Sequence, residues 1–362
     1  MKILYLFNRV RTGLEEKISS GNDHDGHFFG MFRLKQQGIE AEYLELEQFF
    51  SAGTARFIRR HILNIHYVHL LLFLKMRKYD VVFSSTAFGS LFVKAVLSLK
   101  RPKWVEFDYG IKSMIGSGQT LKQKILKFMV GRADGIITIS PGEKNAMIAF
   151  FPHLDGCIEY IPLGVDTAFF TPDFSAENAS EENFILSPGR DPGRDVRILA
   201  EATKGLAVVS DGLACEVKIT AREGNIKKLG TLPEHVKRYD FSPLELRDEY
   251  RRAKLVIIPL TTKGGLNDAM GCSTLVEAMA MGKAVIATAT ETMSAYITHG
   301  ENGWLVPEGD AGALRLAIEK LLGDRELRLR LGRSAREFAV TECSADIFAG
   351  RLGIYFKKNF TR

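Results

Sequence analysis

The sequence predicts an α/β chain built as two doubly wound domains, each a mostly parallel sheet with helices on both faces. Three observations carry this. Short apolar runs alternate with longer helix-period segments along the 362 residues. A polar stretch, TAFFTPDFSAENASEEN (167–183), interrupts that rhythm near the middle, and its proline, serine and glutamate content marks a linker. Beyond it the same alternation restarts, in a chain too long for one ordinary core and of the right length for two. The expected division is 1–170 with a terminal helix at 343–362, and 180–342.

In the first half, KILYLF (2–7) reads as the opening strand and residues 25–37 as a helix that Gly38 stops. AEYLEL (41–46), VVFSS (81–85), KWVEF (103–107) and GIITIS (135–140) continue the strand series. Between them lies the longest apolar run, ILNIHYVHLLLFL (62–74), too short and too polar to cross a bilayer. Arg56, Arg59 and Arg60 precede it, and Lys75, Arg77 and Lys78 follow. Two readings stand: a buried amphipathic helix with solvated ends, or a helix lying in a membrane interface, which KRPKW (100–104) and KQKILKF (122–128) favour.

In the second half, FILSPG (184–189) is a strand, followed by a helix through 194–206, then strands at CEVKIT (215–220) and near 235–239. A helix at 243–252 precedes the strand KLVIIPL (254–260), and WLVPEGD (304–310) carries the last strand. Residues 311–341 are helical, with Leu314, Ile318, Leu321 and Leu322 on one face, and a final helix spans 344–358. Ligands of such sheets sit beyond the carboxyl ends of the strands.

Composition narrows the function classes. Lys+Arg exceed Asp+Glu by 49 − 43 = 6, a mild excess suited to anionic partners such as nucleotides, phosphates or an anionic membrane face. The basic residues are dispersed instead of forming an aromatic-laced stripe, which argues against nucleic acid. Four isolated cysteines with no Cys/His pairing at zinc spacing argue against a metal site or a disulfide frame and suit a reducing cytoplasm. MKILYLFNRV lacks the long apolar region and cleavage site of a signal peptide, so the expected location is cytoplasmic, including the inner face of the membrane. There is no GxGxxG after the first strand, no GxxxxGK[ST] and no HExxH.

Two motifs carry phosphate chemistry. In GCSTLVEAMAMGKAVIAT (271–288), Thr274 and Glu277 fit a capping box ahead of a helix at 275–281 that Gly282 stops. The same geometry also makes an anion site: Gly271, Ser273 and Thr274 offer free N–H groups and hydroxyls at a helix tip. Glu277, one turn in, would then accept hydrogen bonds from a ribose. The second motif is SPGRDPGRD (187–195), where Gly189 lets a ligand approach and Arg190 and Arg194 offer forked donors. Pairing of those arginines with Asp191 and Asp195 is its plain structural reading. The long loop after strand one (11–29) contains Gly13, Gly21 and Gly26 and is either a flexible connection or a place where backbone approaches a substrate.

IPLGVD (161–166), GR (189–190), YRRAKLVIIPL (250–260), TLVEAMAMGKAVIAT (274–288) and ENGWLVPEGD (301–310) together resemble the retaining glycosyltransferases of family 4, and ADGIITIS (133–140) also fits. The resemblance covers residues 1 to about 355 and is most specific over 250–310. It implies the GT-B fold, with two Rossmann-like domains facing a cleft and the last helix crossing back to the first. Glu277 then matches the ribose-binding glutamate, Arg190 the phosphate-binding arginine, and Arg194 stands where a lysine is usual. The loop 271–275 (Gly271, Ser273, Thr274, Leu275) would hold the diphosphate by backbone N–H groups. Two positions depart from the pattern. A sugar-contacting glutamate would fall on Ala269, with Asp268, Asn267 or the main chain as its substitute, and the usual His-Asp pair is Phe107–Asp108. The implied candidates are Asp108 and Asp268 for catalysis and Gly21 and Asn22 for the acceptor and diphosphate loop. The implied reaction moves a sugar from a nucleotide-diphosphate donor, UDP favoured over GDP, to a glycan or lipid-linked acceptor, with no metal or further cofactor. A non-catalytic nucleotide-sugar-binding subunit on the same scaffold is the alternative.

Overall fold

The computed structural model of the protein describes residues 1–63, 66–116, 118–172, 182–206, 215–227, 230–267 and 269–361. The chain forms two compact units, one of Met1–Gly21, Asp25–Gly164 and Ala345–Arg362, the other of Asn22–His24 and Val165–Ser344. Most of the linker segment, 173–181, lies outside the described residues.

The first unit holds six parallel strands: β1 (Lys2–Leu6), β2 (Glu40–Tyr43), β3 (Val81–Ser84), β4 (Lys103–Asp108), β5 (Gly135–Thr138) and β6 (Ile158–Tyr160). Their spatial order is β2-β1-β3-β4-β5-β6. From β2 onward every crossover runs in one direction along the sheet, so right-handed connections put the intervening helices on one face. One apolar cluster confirms it: Leu4, Val82, Trp104 and Ile136 meet Leu72, Leu91, Leu126 and Met147 from the crossovers. The alternate strand residues face the other way. There Phe83 meets the Phe356 ring at 5.7 Å and Phe107 meets Phe348 at 6.2 Å, both from the terminal helix Ala345–Phe360.

Local detail departs from the sequence expectation in two places. The helix expected at 25–37 is two 3₁₀ stretches, Asp25–Phe28 and Met31–Gln37, because Phe29 (φ 47°) and Gly30 (φ 71°) take left-handed conformations between them. Gly30 is required there, since an added Cβ would lie 3.0 Å from Ala349 Cβ. The single helix expected at 62–74 is a series of short turns: a π stretch Ile58–Ile62, a 3₁₀ stretch Val68–Leu72 and a helix Phe73–Met76. Residues 64–65 lie outside the described residues. Val68, His69, Leu72 and Met76 are buried, while Leu71 and Leu74 face solvent.

The second unit holds β7 (Phe184–Ser187), β8 (Glu216–Ile219), β9 (Val236–Arg238), β10 (Leu255–Ile258), β11 (Val285–Thr288) and β12 (Trp304–Val306). Their order is β12-β11-β10-β7-β8-β9, all parallel. The chain moves outward from β7 to β9, returns to β10 and moves out the other way. The strand order therefore reverses between β7 and β10, the place where such a sheet has its crevice, at the carboxyl ends of these strands. The core joins Ile185, Val217, Ile257 and Ile286 to Leu199, Ile318 and Leu331. The helical region 311–341 is two helices, Ala311–Gly323 and Arg325–Glu342, separated where Asp324 turns out of helical geometry and caps the second through Leu327 N (2.9 Å). The chain leaves and re-enters this unit side by side, with Val165 N donating to Cys343 O at 2.7 Å and Val165 bridging Ser344.

The helix Arg325–Glu342 crosses the turn after Cys272–Ala280 at Gly332, where a Cβ would come within 2.0 Å of Gly282 O. Gly332→Ala is expected to destabilise the protein by about 1–3 kcal/mol through overpacking against backbone. Thermal unfolding checks this, and an unchanged midpoint would show that the helix shifts without cost.

Candidate functional site

The crevice of the second unit is built from the loops after β7 and β10. Gly189 ends the first strand with φ 123°, and the place a Cβ would take is filled by the Arg194 guanidinium, 2.2 Å away at its nearest. The missing side chain thus lets Arg194 fold back under the loop. Asn225 fixes that loop by donating from Nδ2 to the carbonyls of Asp191 (3.1 Å), Pro192 (3.2 Å) and Arg194 (2.9 Å). The two loops are also zipped together: Thr261 N donates to Gly193 O at 2.8 Å, and Asp195 N to Pro259 O at 3.0 Å. Gly193 permits this, because a Cβ there would lie 2.3 Å from Met270 Cε and 2.8 Å from Thr261 O.

The two arginines of the motif diverge. Arg194 is buried, donates from Nη2 to Thr274 Oγ1 at 2.9 Å and lies 3.3 Å from Asp191 Oδ2. Arg190 points outward and pairs with Asp240, which Arg238 also holds. The expected pairing with Asp191 is therefore made by Arg194 alone. Asp195 instead accepts from Ile198 N at 3.0 Å as the N-cap of the helix Val196–Ala202, a shorter helix than the 194–206 expected.

The helix at the heart of the motif is Cys272–Ala280, starting three residues earlier than its pattern indicates. Gly271 makes the early start, with φ 81° and no room for a side chain, since a Cβ would meet Ile258 Cγ2 at 2.9 Å. Thr274 is consequently inside the first turn, and the capping box does not form. Its hydroxyl serves Arg194, and Glu277 accepts from the Tyr250 hydroxyl at 3.0 Å. Gly271 and Leu275 are buried and Ser273 is exposed at the tip. The helix ends as expected, with Gly282 (φ 64°) donating to Met279 O and Lys283 N to Ala278 O, a Schellman closure.

The electrostatics follow from burial. Desolvation pushes the Glu277 carboxyl up to about 7, against the pull of the Tyr250 hydrogen bond and the Arg194 charge. Burial also raises Tyr250 well above the usual phenol range, and the Glu277 charge adds to it, so the tyrosine stays a donor. The group can therefore meet a negative charge at Arg194 and the helix tip, and a pair of hydroxyl donors at Glu277, one turn away.

The loop before this helix is anchored by Glu308, which sequence reasoning passed over. Its carboxylate accepts from Thr261 Oγ1 (2.7 Å), Thr262 N (2.9 Å) and Thr262 Oγ1 (2.8 Å). Burial opposes ionisation there, yet those hydrogen bonds hold the carboxyl below its usual range. Ala269 is fully buried and donates its N–H to Asn267 Oδ1 at 2.9 Å. Asp268 lies outside the described residues.

The remaining candidates fall elsewhere. Gly21 (φ 73°) is exposed just beyond the helix Leu14–Ser19, and Asn22, also exposed, is counted with the second unit. Asp108 is buried at the end of β4, where Oδ1 accepts from Gly110 N (3.0 Å) and Ile111 N (2.6 Å) at the start of the helix Ile111–Ile115. Phe107, at the place of the expected histidine, is a core residue. Nearby, Glu106 is fully buried, accepts from Trp104 Nε1 at 2.7 Å, and is pushed up to about 8 by desolvation.

Residues 223–338 match the family described as Glycosyl transferases group 1. The chain is 27% identical to the lipopolysaccharide core biosynthesis mannosyltransferase LpcC of Rhizobium leguminosarum bv. viciae, over 64% of this chain and 66% of that protein. By fold it is similar to sucrose-phosphate synthase from Thermosynechococcus elongatus (TM-score 0.70, 18% identity, covering 99% of this chain and 98% of the other). It is likewise similar to HepE from Anabaena in complex with UDP-glucose (TM-score 0.69, 16% identity, covering 99% and 100%). Each of the two six-stranded parallel sheets is Rossmann-like, and the fold is that of the GT-B glycosyltransferases.

Proposed function

We propose that this chain, which carries a group 1 glycosyl transferase region on a GT-B fold, moves a hexosyl group from a UDP-sugar to a glycan or lipid-linked acceptor with retention of configuration. The region and the transferase-named relative support a glycosyltransferase. The observation that carries the reading is the convergence on one helix turn of Arg194, Thr274 and the Gly271 tip with Glu277 and its Tyr250 partner. Diphosphate at the tip and ribose at the glutamate fit that spacing. LpcC acts in lipopolysaccharide core biosynthesis and HepE binds UDP-glucose, which supports a cell-surface glycan acceptor and a uridine donor.

In this reading the bond between the anomeric carbon and the β-phosphate oxygen breaks while the acceptor oxygen bonds the same face of the sugar. The acceptor proton passes to the departing phosphate. Arg194 and the helix-tip N–H groups stabilise the charge that develops on that leaving group.

A thermal-shift panel of nucleotide sugars followed by UDP-release assays tests the proposal. Stabilisation by a UDP-sugar and transfer to a glycan acceptor are expected, and the absence of any nucleotide-sugar response would end it. Binding without turnover across a broad acceptor panel would instead support the non-catalytic subunit, a reading that the buried alanine at 269 favours.

The Glu277 carboxyl also gives the site a pH dependence. Ribose hydroxyls donate to the ionised form, whereas the empty site holds the proton up to about pH 7. Affinity should therefore be full above that value and fall as pH drops through it, approaching about tenfold per unit. UDP-glucose is the suitable probe, since its diphosphate has no ionisation of its own in this range. Calorimetric titration between pH 5.5 and 8.5 should show the slope in the native protein and a flat profile in Glu277→Gln. A sloping profile in that variant would remove Glu277 from the explanation.

A further inference from the structure

The helical layer on one face of the first unit has an unusual outer side. The helix Leu121–Val130 buries Leu126, Met129 and Val130 against the sheet. It nevertheless exposes Leu121 (74%), Ile125 (41%) and Phe128 (45%), which at spacings of four and three form a second apolar stripe. Lys122 and Lys124 flank the stripe on either side and make no ion pair among the described residues. Thr120 and Gln123 close a capping box on this helix, so the stripe is presented rigidly.

Two neighbours repeat the pattern. The helix Phe88–Val96 packs beside Leu121–Val130 and turns Phe92 and Val96 outward. On its other side the 3₁₀ stretch Val68–Leu72, running on into the helix Phe73–Met76, exposes Leu71 and Leu74, followed by Lys75, Arg77 and Lys78. The helix Ala52–Phe57 and the π turn Ile58–Ile62 continue the row, with Phe57 and Ile62 exposed. A groove of about 380 Å³ opens there, lined by Val10, Glu47, Ala52, Arg56, Arg59 and Arg60. Because all these elements lie on one side of one sheet, their outer faces form one surface. Among the described residues the second unit exposes only Leu316 and Val340 as large apolar side chains, so the concentration belongs to the first unit.

We infer that this face docks the protein onto an anionic lipid bilayer, with its apolar side chains at the acyl boundary and its lysines and arginines among head-group phosphates. Charge selects this occupant. A second copy seated symmetrically on the same face would bring like-charged rows together, whereas an anionic bilayer complements both components. The inference is independent of the transferase reading, since it uses no residue of the second unit.

Vesicle co-sedimentation tests it, comparing pure phosphatidylcholine with an equal mixture of phosphatidylcholine and phosphatidylglycerol. The full chain should partition onto the mixed vesicles and release at high salt. The double variants Leu121→Glu/Ile125→Glu and Lys122→Glu/Lys124→Glu should each lose about tenfold or more in partitioning, at unchanged unfolding temperature. No binding to mixed vesicles, equal binding to both vesicle types, or full retention by both variants would overturn the inference. So would concentration-dependent dimerisation abolished by Leu121→Glu, which would assign the face to a second copy. The nucleotide-sugar panel, measured on the same samples, keeps the two proposals separable: vesicle binding without a response to any nucleotide sugar leaves docking standing and removes the transferase reading.

Discussion

Arg194→Ala is expected to lower the rate of sugar transfer by about 10²–10³-fold, the range seen when one preorganised donor to a developing charge is removed. The guanidinium is buried, held between Thr274 and Asp191, and fills the space that Gly189 leaves open. It is therefore positioned before any donor arrives. Arg194→Lys should recover part of the loss, since the charge returns but the fork that reaches Thr274 and a phosphate together does not. Arg190→Ala should cost much less, under about tenfold, because Arg190 is exposed and turned to Asp240, and so is not positioned beside the helix tip in advance. Steady-state kinetics with one UDP-sugar, together with unfolding curves to confirm folding, make the comparison. If the folded Arg194→Ala variant turns over within a few fold of the native protein while Arg190→Ala does not, the two roles must be exchanged.

Glu277→Ala is expected to weaken UDP binding by about 10–100-fold, the value of hydrogen bonds to a charged acceptor. The variant also strands the Tyr250 hydroxyl, so a loss of stability alone would not establish a ligand contact. A cycle with 2′,3′-dideoxy-UDP separates the two. If Glu277 holds the ribose, removing the hydroxyls should weaken binding to the native protein and make little further difference to the variant. Additive losses would return Glu277 to a purely structural part as the partner of Tyr250. Tyr250→Phe should give a smaller loss of affinity, because the carboxylate remains but loses the group that orients it.

Much of the architecture was legible in the sequence. Strands such as KLVIIPL are buried on both faces and therefore read as continuous apolar runs. The Gly282 stop was equally plain, because a Schellman turn is a local event. What escaped reading depended on distant partners or on backbone state. The helix start moved to Cys272 because Gly271 adopts a left-handed conformation that no spacing rule announces. Arg190 and Arg194 stand in matching contexts, DPGRD after PGRD. Asp240, fifty residues away, the vacant side of Gly189 and Thr274, eighty residues away, distinguish them. The Tyr250–Glu277 pair joins two helices through residues 27 apart in sequence, and Glu308 reaches its threonines across 46 to 47. The resemblance named Glu277, but not the tyrosine that holds it.

The chain path of the second unit has a practical corollary. Its polypeptide enters at Val165 and leaves at Ser344, and those ends are hydrogen-bonded neighbours. Apart from Asn22–His24 it is one uninterrupted cassette, whereas the first unit is stitched from stretches on either side of it. In evolutionary and engineering terms the second unit is a graftable insert whose ends already meet. The unit can be exchanged at that junction while the first unit keeps its sheet and its terminal helix.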